Sequence, residues 1–299
     1  MITGNDFLLR RWGIFTHFLY GDPGETYSEK GGSDYWNRRV ENFDTDRIAD
    51  RLYDAGAQYY FITVMQGQKY MIAPNKTFDK ICGTTPGEAC ANRDLIADLY
   101  DSLSRYNIDL CLYYTGDGPW LDPECGVKMG LTNPRGKVSD TFVRNWANVL
   151  AEYAEKYGNK IKAWWFDGCY DWLLEYNNEK LTYYYDAVKY GNPDVKVAFN
   201  NGVKDQCCKY YIKEDYTAGE FNDLTVIPNK AYYDGARAHI LAPMGKRSWH
   251  SKGLRYSGEY LKKYVSDVNN AGGMVTLEMY IDDNGELDDE QLATAKKCK

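Results

Sequence analysis

The run Ile161-Lys162-Ala163-Trp164-Trp165-Phe166 delivers a single carboxylate, Asp167, and Gly168 then lets the chain turn away. A buried strand that ends in an acid at its C-terminal lip is how parallel barrels place a catalytic group. The competing reading is that Asp167 caps the next helix or turn, as Asp often does. Other apolar runs end in equally useful side chains. The first ends in Thr16-His17-Phe18, the second in Met65-Gln66-Gly67-Gln68 with Tyr70 beyond, and the third in Tyr113-Tyr114-Thr115-Gly116-Asp117. Further along come Glu214-Asp215, Thr217-Ala218-Gly219-Glu220, Trp249-His250 and Glu278. Paired carboxyl groups, hydrogen-bonding amides and rings that stack on sugar faces are the mixture that glycoside cleavage needs. No Ser lies in a G-x-S-x-G elbow, no HExxH or P-loop occurs, and no Lys ends a strand; Lys69, the nearest, lies in a loop. His17 reads as a satisfied core histidine or as a site residue, while Asp117 and Asp215 read as turn residues. Asp282-Asp283-Asn284-Gly285 lacks the spacing of a calcium loop and reads as a turn.

Such residues need a scaffold that brings distant loops to one face. Strand-like runs occupy Gly13–Leu19, Tyr59–Met65, Asp109–Tyr114, Ile161–Phe166, Val195–Phe199, a weaker Tyr211–Tyr216, His239–Ala242 and Met274–Ile281. Helical spacing predicts helices from Thr45 to Gly56 and over Asn92–Asn107, Ser139–Tyr157, Glu179–Tyr190, Tyr256–Asn270 and Asp288–Lys297. Eight strands mostly separated by helices, with no glycine-rich dinucleotide turn after the first, favour an α/β fold of the closed (β/α)8 TIM type over a doubly wound sheet. The chain reads as one domain over residues 1–299, without internal repeats, and with irregular helices around strands five to seven.

Composition narrows the partners. With 36 basic and 43 acidic residues the net charge is −7, and no basic block points to nucleic acid. No apolar stretch is long enough to span a bilayer. The 28 Tyr, 8 Trp and 10 Phe suit either a ring-lined pocket or a core with wet edges. The 8 cysteines form no CxxC pair and no Cys/His zinc spacing, and no cofactor or metal is expected. Cys82 and Cys90 bracket a Gly/Pro loop and would bridge in an oxidising compartment. A reduced, cytoplasmic protein is the expectation, because an even cysteine count alone proves nothing. The start, Met1-Ile-Thr-Gly-Asn-Asp, shows no signal peptide; a secreted mature form with its signal removed is the alternative. Oligomeric state is not legible.

The residues also carry a family resemblance. Trp12-Gly13-Ile14-Phe15-Thr16-His17-Phe18 resembles the opening G-I-F-x-H-W strand of the α-L-fucosidases of glycoside hydrolase family 29, and Asp34-Tyr35-Trp36 lies near that family's early aromatic site motif. Phe43-Asp44 with Asp46, and Asp54-Ala55-Gly56-Ala57, are similar to its F-D-x-x-x-W and D-A-G-A-K segments. Arg93-Asp94-Leu95 and Leu112-Tyr113-Tyr114 are similar to R-D-L and G-L-Y-Y, and Gly272-Gly273 through Asn284-Gly285 to its G-G-N-L-L-L-N…D-G stretch. Trp165-Phe166-Asp167-Gly168 matches the strand that carries the family's nucleophile. The match runs over essentially the whole chain and covers the catalytic barrel, not the family's usual C-terminal β-sandwich. Two places depart: the family's H-H-D-G-F reads Gln66-Gly67-Gln68-Lys69-Tyr70, and its W-E motif falls near His239-Ile240, without a carboxylate.

The resemblance implies a retaining exo-glycoside hydrolase that removes a terminal sugar from an oligosaccharide or glycoconjugate through a covalent glycosyl-enzyme intermediate. Asp167 is then the nucleophile. The acid/base is expected to be Glu220, which follows small residues that permit close approach to a ligand, with Glu278 as the alternative acid or a sugar-binding group. The expected substrate-binding set is His17, Trp36, Gln66, Tyr114, Trp165, Trp249 and Glu278; the amides in place of histidines still read hydroxyl pairs but cannot titrate near neutrality. The competing class is a carbohydrate-binding barrel without catalysis or with altered specificity. A metal-dependent isomerase or lyase is disfavoured, because no His and carboxylate cluster converges by spacing.

Overall fold

Seven parallel strands form one curled sheet in a computed structural model that describes residues 6–21, 31–132 and 135–299. They are β1 (Trp12–Thr16), β2 (Tyr59–Thr63), β3 (Asp109–Thr115), β4 (Ile161–Asp167), β5 (Lys196–Phe199), β6 (His239–Pro243) and β7 (Met274–Met279). The spatial order is β5-β4-β3-β2-β1-β7-β6, so consecutive strands are neighbours except β5 and β6, which are the two edges, and β1 pairs with the last strand. That is the order of a (β/α)8 barrel in which the position between β5 and β6 lacks a regular strand.

An extended segment fills that position and closes the ring. The N–H of Asp215 donates to the Val197 carbonyl at 2.8 Å, and its carbonyl accepts from the Arg237 N–H at 3.0 Å. Farther along, the Leu241 N–H donates to the Gly219 carbonyl at 2.7 Å, and the Phe221 N–H to the Leu241 carbonyl at 2.9 Å. The sixth strand expected at Tyr211–Tyr216 therefore forms later, over residues 215–221, and only as isolated pairings. Burial of Glu214 explains the delay. Its carboxylate accepts the N–H groups of Phe199 at 3.2 Å and Tyr210 at 2.6 Å, taking the place of a strand carbonyl beside the end of β5. Irregularity between strands five and seven was expected, and no helix occurs between β5 and β6.

Alternation along each strand sorts side chains between two cores. Ile14, Ile62, Tyr114, Trp164 and Phe166 pack outward under the helices. Phe15, Phe61, Tyr113, Ala163 and Trp165 point inward and fill the barrel. The helices start where short polar side chains accept the first free N–H groups: Asp44 from Arg47 at 2.9 Å before helix Thr45–Ala55, and Ser139 from Phe142 at 3.0 Å before helix Asp140–Tyr157. Three helices sit in stretches that the sequence presents as polar or Gly/Pro-rich loops: Gly32–Glu41, Lys76–Cys82 and Pro123–Met129.

Two of those helices correct the cysteine pairing. Cys82 is bonded to Cys125, at the start of helix Pro123–Met129, and not to Cys90. Helix Lys76–Cys82 turns the Cys82 sulfur toward its neighbouring helix, while Cys90 is a buried free thiol whose sulfur lies 3.9 Å from the Asn75 carbonyl. Among the described residues no helix is long and apolar enough to cross a membrane. The N-terminal segment through residue 5 lies outside the described residues.

Candidate active site

Asp167 is the last residue of β4 and caps nothing. The next helix, Asp171–Leu174, starts at Tyr170 without a side-chain cap. Gly168 follows in the left-handed region at φ 64°, where a Cβ would lie 2.8 Å from the Asp117 carboxyl carbon; only glycine lets the chain leave the strand here. The carboxylate is held at both oxygens. Tyr113 donates to Oδ2 at 2.5 Å with Gln66 at 3.4 Å, while Asn200 donates to Oδ1 at 2.8 Å with Tyr170 at 3.4 Å. Burial, and next the Asp167 charge, raise the Tyr113 hydroxyl well above its usual range, so it stays a protonated donor.

Glu220 is brought to the same amide. Asn200 Nδ2 donates to Glu220 Oε2 at 2.5 Å and to Asp167 Oδ1 at 2.8 Å. The two carboxylate oxygens can therefore be no farther apart than those two bonds laid end to end. One shared donor therefore holds the two carboxylates side by side at the barrel mouth. The residue before Glu220 makes the approach possible: Gly219 has φ 64°, and a Cβ there would stand 1.8 Å from the His239 carbonyl. Burial first, and then the Asp167 charge, push the Glu220 carboxyl up to about 7, with the Asn200 hydrogen bond opposing. Two neighbouring acids with different environments are the arrangement that separates a proton donor from an ionised partner.

A cavity of about 310 Å³ opens above the pair, lined by His17, Gln66, Trp165, Asp167, Glu220 and Trp249 among others. Six of the nine residues expected at the site thus meet at one mouth. Glu278 stands beneath it. Fully buried, it accepts from His17 Nδ1 at 2.9 Å and from the His250 N–H at 2.9 Å, which makes Nδ1 the protonated nitrogen of His17 and leaves Nε2 for a ligand hydroxyl. Its place in the wall, away from the cavity, makes Glu278 a support for His17 and not a group that touches sugar.

Two further expectations are corrected. Trp36 is 1% exposed, its indole N–H donates to the Met71 carbonyl at 2.8 Å, and it packs in the outer core on Phe18. Tyr114 also faces the helices, with its ring 4.8 Å from that of Trp146. Strand alternation turns Tyr113 inward instead, so the ring beside Asp167 is the residue before the one expected. Asn200 was missed. It follows Phe199 at the end of β5, and the strand-end rule that found Asp167 finds it as well. Asp117 is not a simple turn residue: its carboxylate is buried and accepts from Thr115 and Arg135, and burial raises it to about 6 against those two partners. Among the described residues no group of three or more His, Cys, Asp or Glu is placed to hold a metal ion.

The family model for α-L-fucosidase matches residues 8–297. A search of curated proteins by sequence finds no match. Solved structures share the fold at low identity. An endo-fucoidan hydrolase of glycoside hydrolase family 107 superposes with a TM-score of 0.74 at 16% identity, over 99% of this chain and 64% of that one. A second such hydrolase is matched over 53% of its length, so the chain spans between half and two thirds of these relatives. The α-L-fucosidase AlfC from Lactobacillus casei, in complex with its fucose product, gives 0.68 at 17% identity over 98% and 95% of the two chains. A trapped covalent intermediate of a family 29 α-L-fucosidase from Bacteroides thetaiotaomicron gives 0.67 at 17% identity over 97% and 72%. With a family model matched along nearly its full length and a barrel of the same order, this chain belongs to the α-L-fucosidase family of glycoside hydrolases.

Proposed function

We propose that this protein hydrolyses an α-L-fucoside with retention of configuration, releasing a fucosyl residue from an oligosaccharide or glycoconjugate. One observation carries the reading: the Asn200 amide is shared by the carboxylates of Asp167 and Glu220. In the first step an Asp167 oxygen attacks the anomeric carbon while Glu220 passes its proton to the glycosidic oxygen, and the aglycone leaves as an alcohol. A water then gives its proton to Glu220 as its oxygen displaces Asp167 from the anomeric carbon. Tyr113 and Asn200 hold the nucleophile in line, His17 and Gln66 read hydroxyls, and Trp165 and Trp249 supply apolar faces. A terminal fucosyl residue is the simplest glycone for the cavity above the pair. The Cys82–Cys125 bridge favours an oxidising compartment over the reduced cytosol.

The test is a panel of aryl glycosides with the wild type and Asp167→Ala. Turnover of the α-L-fucoside, its loss by at least about a thousandfold in the variant, and rescue by azide as the inverted glycosyl azide support the mechanism. Tight fucose binding by a wild type that hydrolyses none of the panel would instead leave a sugar-binding barrel.

A further inference from the structure

Trp172 and Tyr170 stack on each other just past the end of β4, with ring centroids 5.2 Å apart and 20° between the planes. Trp172 lies in the short helix Asp171–Leu174 that follows Asp167, and it is 69% exposed. Single exposed rings are ordinary on protein surfaces, so exposure alone assigns nothing. The surroundings of this ring do.

The stacked pair stands on the Glu220 side of Asp167. Asp167 divides its partners: Tyr113 and Gln66 donate to Oδ2, Asn200 and Tyr170 to Oδ1. Asn200 is the amide shared with Glu220, so Tyr170 flanks the oxygen turned toward the second acid. The Tyr170 hydroxyl is raised above its usual range by the Asp167 charge first, then by burial and by the Glu220 charge, which makes both acids its neighbours. Gly202 completes the link. It lines a cleft together with Asn200 and Glu220, and a Cβ there would stand 3.8 Å from Tyr170 Cε1 and 3.9 Å from Trp172 Nε1. The rings are also fixed before any ligand arrives, because the Asp171 N–H donates to Asn201 Oδ1 at 3.1 Å, one residue from the amide that holds both acids.

A proton donor stands on the side from which the leaving group departs. What leaves under protonation by Glu220 therefore passes beside Tyr170, and the exposed Trp172 ring stands next beyond it. An indole face takes the apolar C–H face of a pyranose. We propose that Trp172 is the platform of a leaving-group subsite, stacking on the neutral sugar from which a terminal fucosyl residue is cut. The protein thus gains binding from a sugar aglycone and asks nothing more of the glycone. This rests on the hydrolase reading above.

The experiment compares kcat/KM for α-L-fucosyl fluoride, whose departing fluoride has nothing to stack, with that for the faster of fucosyl-galactose and fucosyl-N-acetylglucosamine. Trp172→Ala should lower the ratio of disaccharide to fluoride rates about tenfold, and Trp172→Phe, which keeps a ring, by less than about threefold. An unchanged ratio in Trp172→Ala would overturn the proposal. Dissociation of an oligomer by that variant, with the ratio unchanged, would assign the ring to a contact between copies instead. Calorimetry on Asp167→Asn separates this from failure of the catalytic reading. Disaccharide binding about tenfold tighter than that of free fucose, lost when Trp172→Ala is added, upholds the subsite even if no substrate turns over. Equal affinities, no binding of either, or a gain that survives loss of the ring reject it even if hydrolysis is normal.

Discussion

Replacing Asn200 with alanine removes the donor that both carboxylates share, and the structure gives the size and sign of the effect. A hydrogen bond to a charged group is worth about 1.5–3 kcal/mol; if the bond of 2.8 Å to Asp167 matters equally in the transition state, kcat/KM falls by about 10- to 150-fold. The pH profile carries a second, independent signature. Glu220 must be protonated to act as acid, so activity falls as pH rises through its value of about 7. Asn200 holds that value down, and without it the Asp167 charge and burial act unopposed. The alkaline limb of Asn200→Ala must therefore move to higher pH. The assay is kcat/KM for phenyl α-L-fucoside from pH 4 to 10, a substrate whose poor leaving group makes the proton donor matter. A limb that stays at the wild-type position with a rate within about twofold, or one that moves to lower pH, would refute the shared-donor geometry.

Other consequences follow from the same site. Glu220→Gln should slow phenyl fucoside far more than dinitrophenyl fucoside, since an activated aryl group leaves without a proton; equal losses would remove Glu220 from the acid role. Tyr113→Phe removes a 2.5 Å bond to Asp167 and should lower kcat about 10- to 100-fold, whereas Tyr114→Phe deletes a buried hydroxyl with no partner among the described residues and should leave kcat within about twofold; the reverse ranking would place the wrong tyrosine in the barrel. Peptide mapping without reductant should join Cys82 to Cys125, and Cys125→Ser should lower unfolding stability by roughly 4 kcal/mol for a loop of this length, read from the urea midpoint; a Cys82–Cys90 peptide would contradict the pairing.

Strands one to five, seven and eight of the barrel were readable because fully buried parallel strands appear as unbroken apolar runs between Gly/Pro and polar punctuation. The sixth was misplaced by a few residues because Glu214 satisfies the end of β5 with a side chain, and no periodicity records that substitution. The placing of Asp167 and Glu220 at the cavity mouth was legible from position: one ends a strand, the other follows small residues. Tyr113 and Asn200 were not, for different reasons. In a strand buried on both faces, hydrophobicity does not say which of two adjacent tyrosines points inward; only the register with β4, where Tyr113 lies beside Trp165, decides it. Asn200 is an ordinary amide until the fold sets it between two acids whose separation in sequence gives no hint of their meeting. Trp36 misled because an aromatic near a site motif and an aromatic in the outer core are the same letter. The cysteines misled because proximity in sequence is weak evidence when the helix that ends at Cys82 turns its sulfur toward Cys125.

The closing segment over residues 215–221 gives the two acids unequal foundations. Asp167 stands on a strand paired on both flanks, laddered without a break to β3 from Ala163 to Asp167 and to β5 from Ala163 to Phe166, where an insertion would shift three strands together. Glu220 stands on the one stave held by scattered bonds, with a long helix-free connection following it. A change of length or sequence there is absorbed locally, leaving the remaining staves in register. Asp167 is thus mechanically anchored, while Glu220 rides on the part of the wall that tolerates rebuilding, and a barrel made this way can move the second carboxylate without disturbing the first.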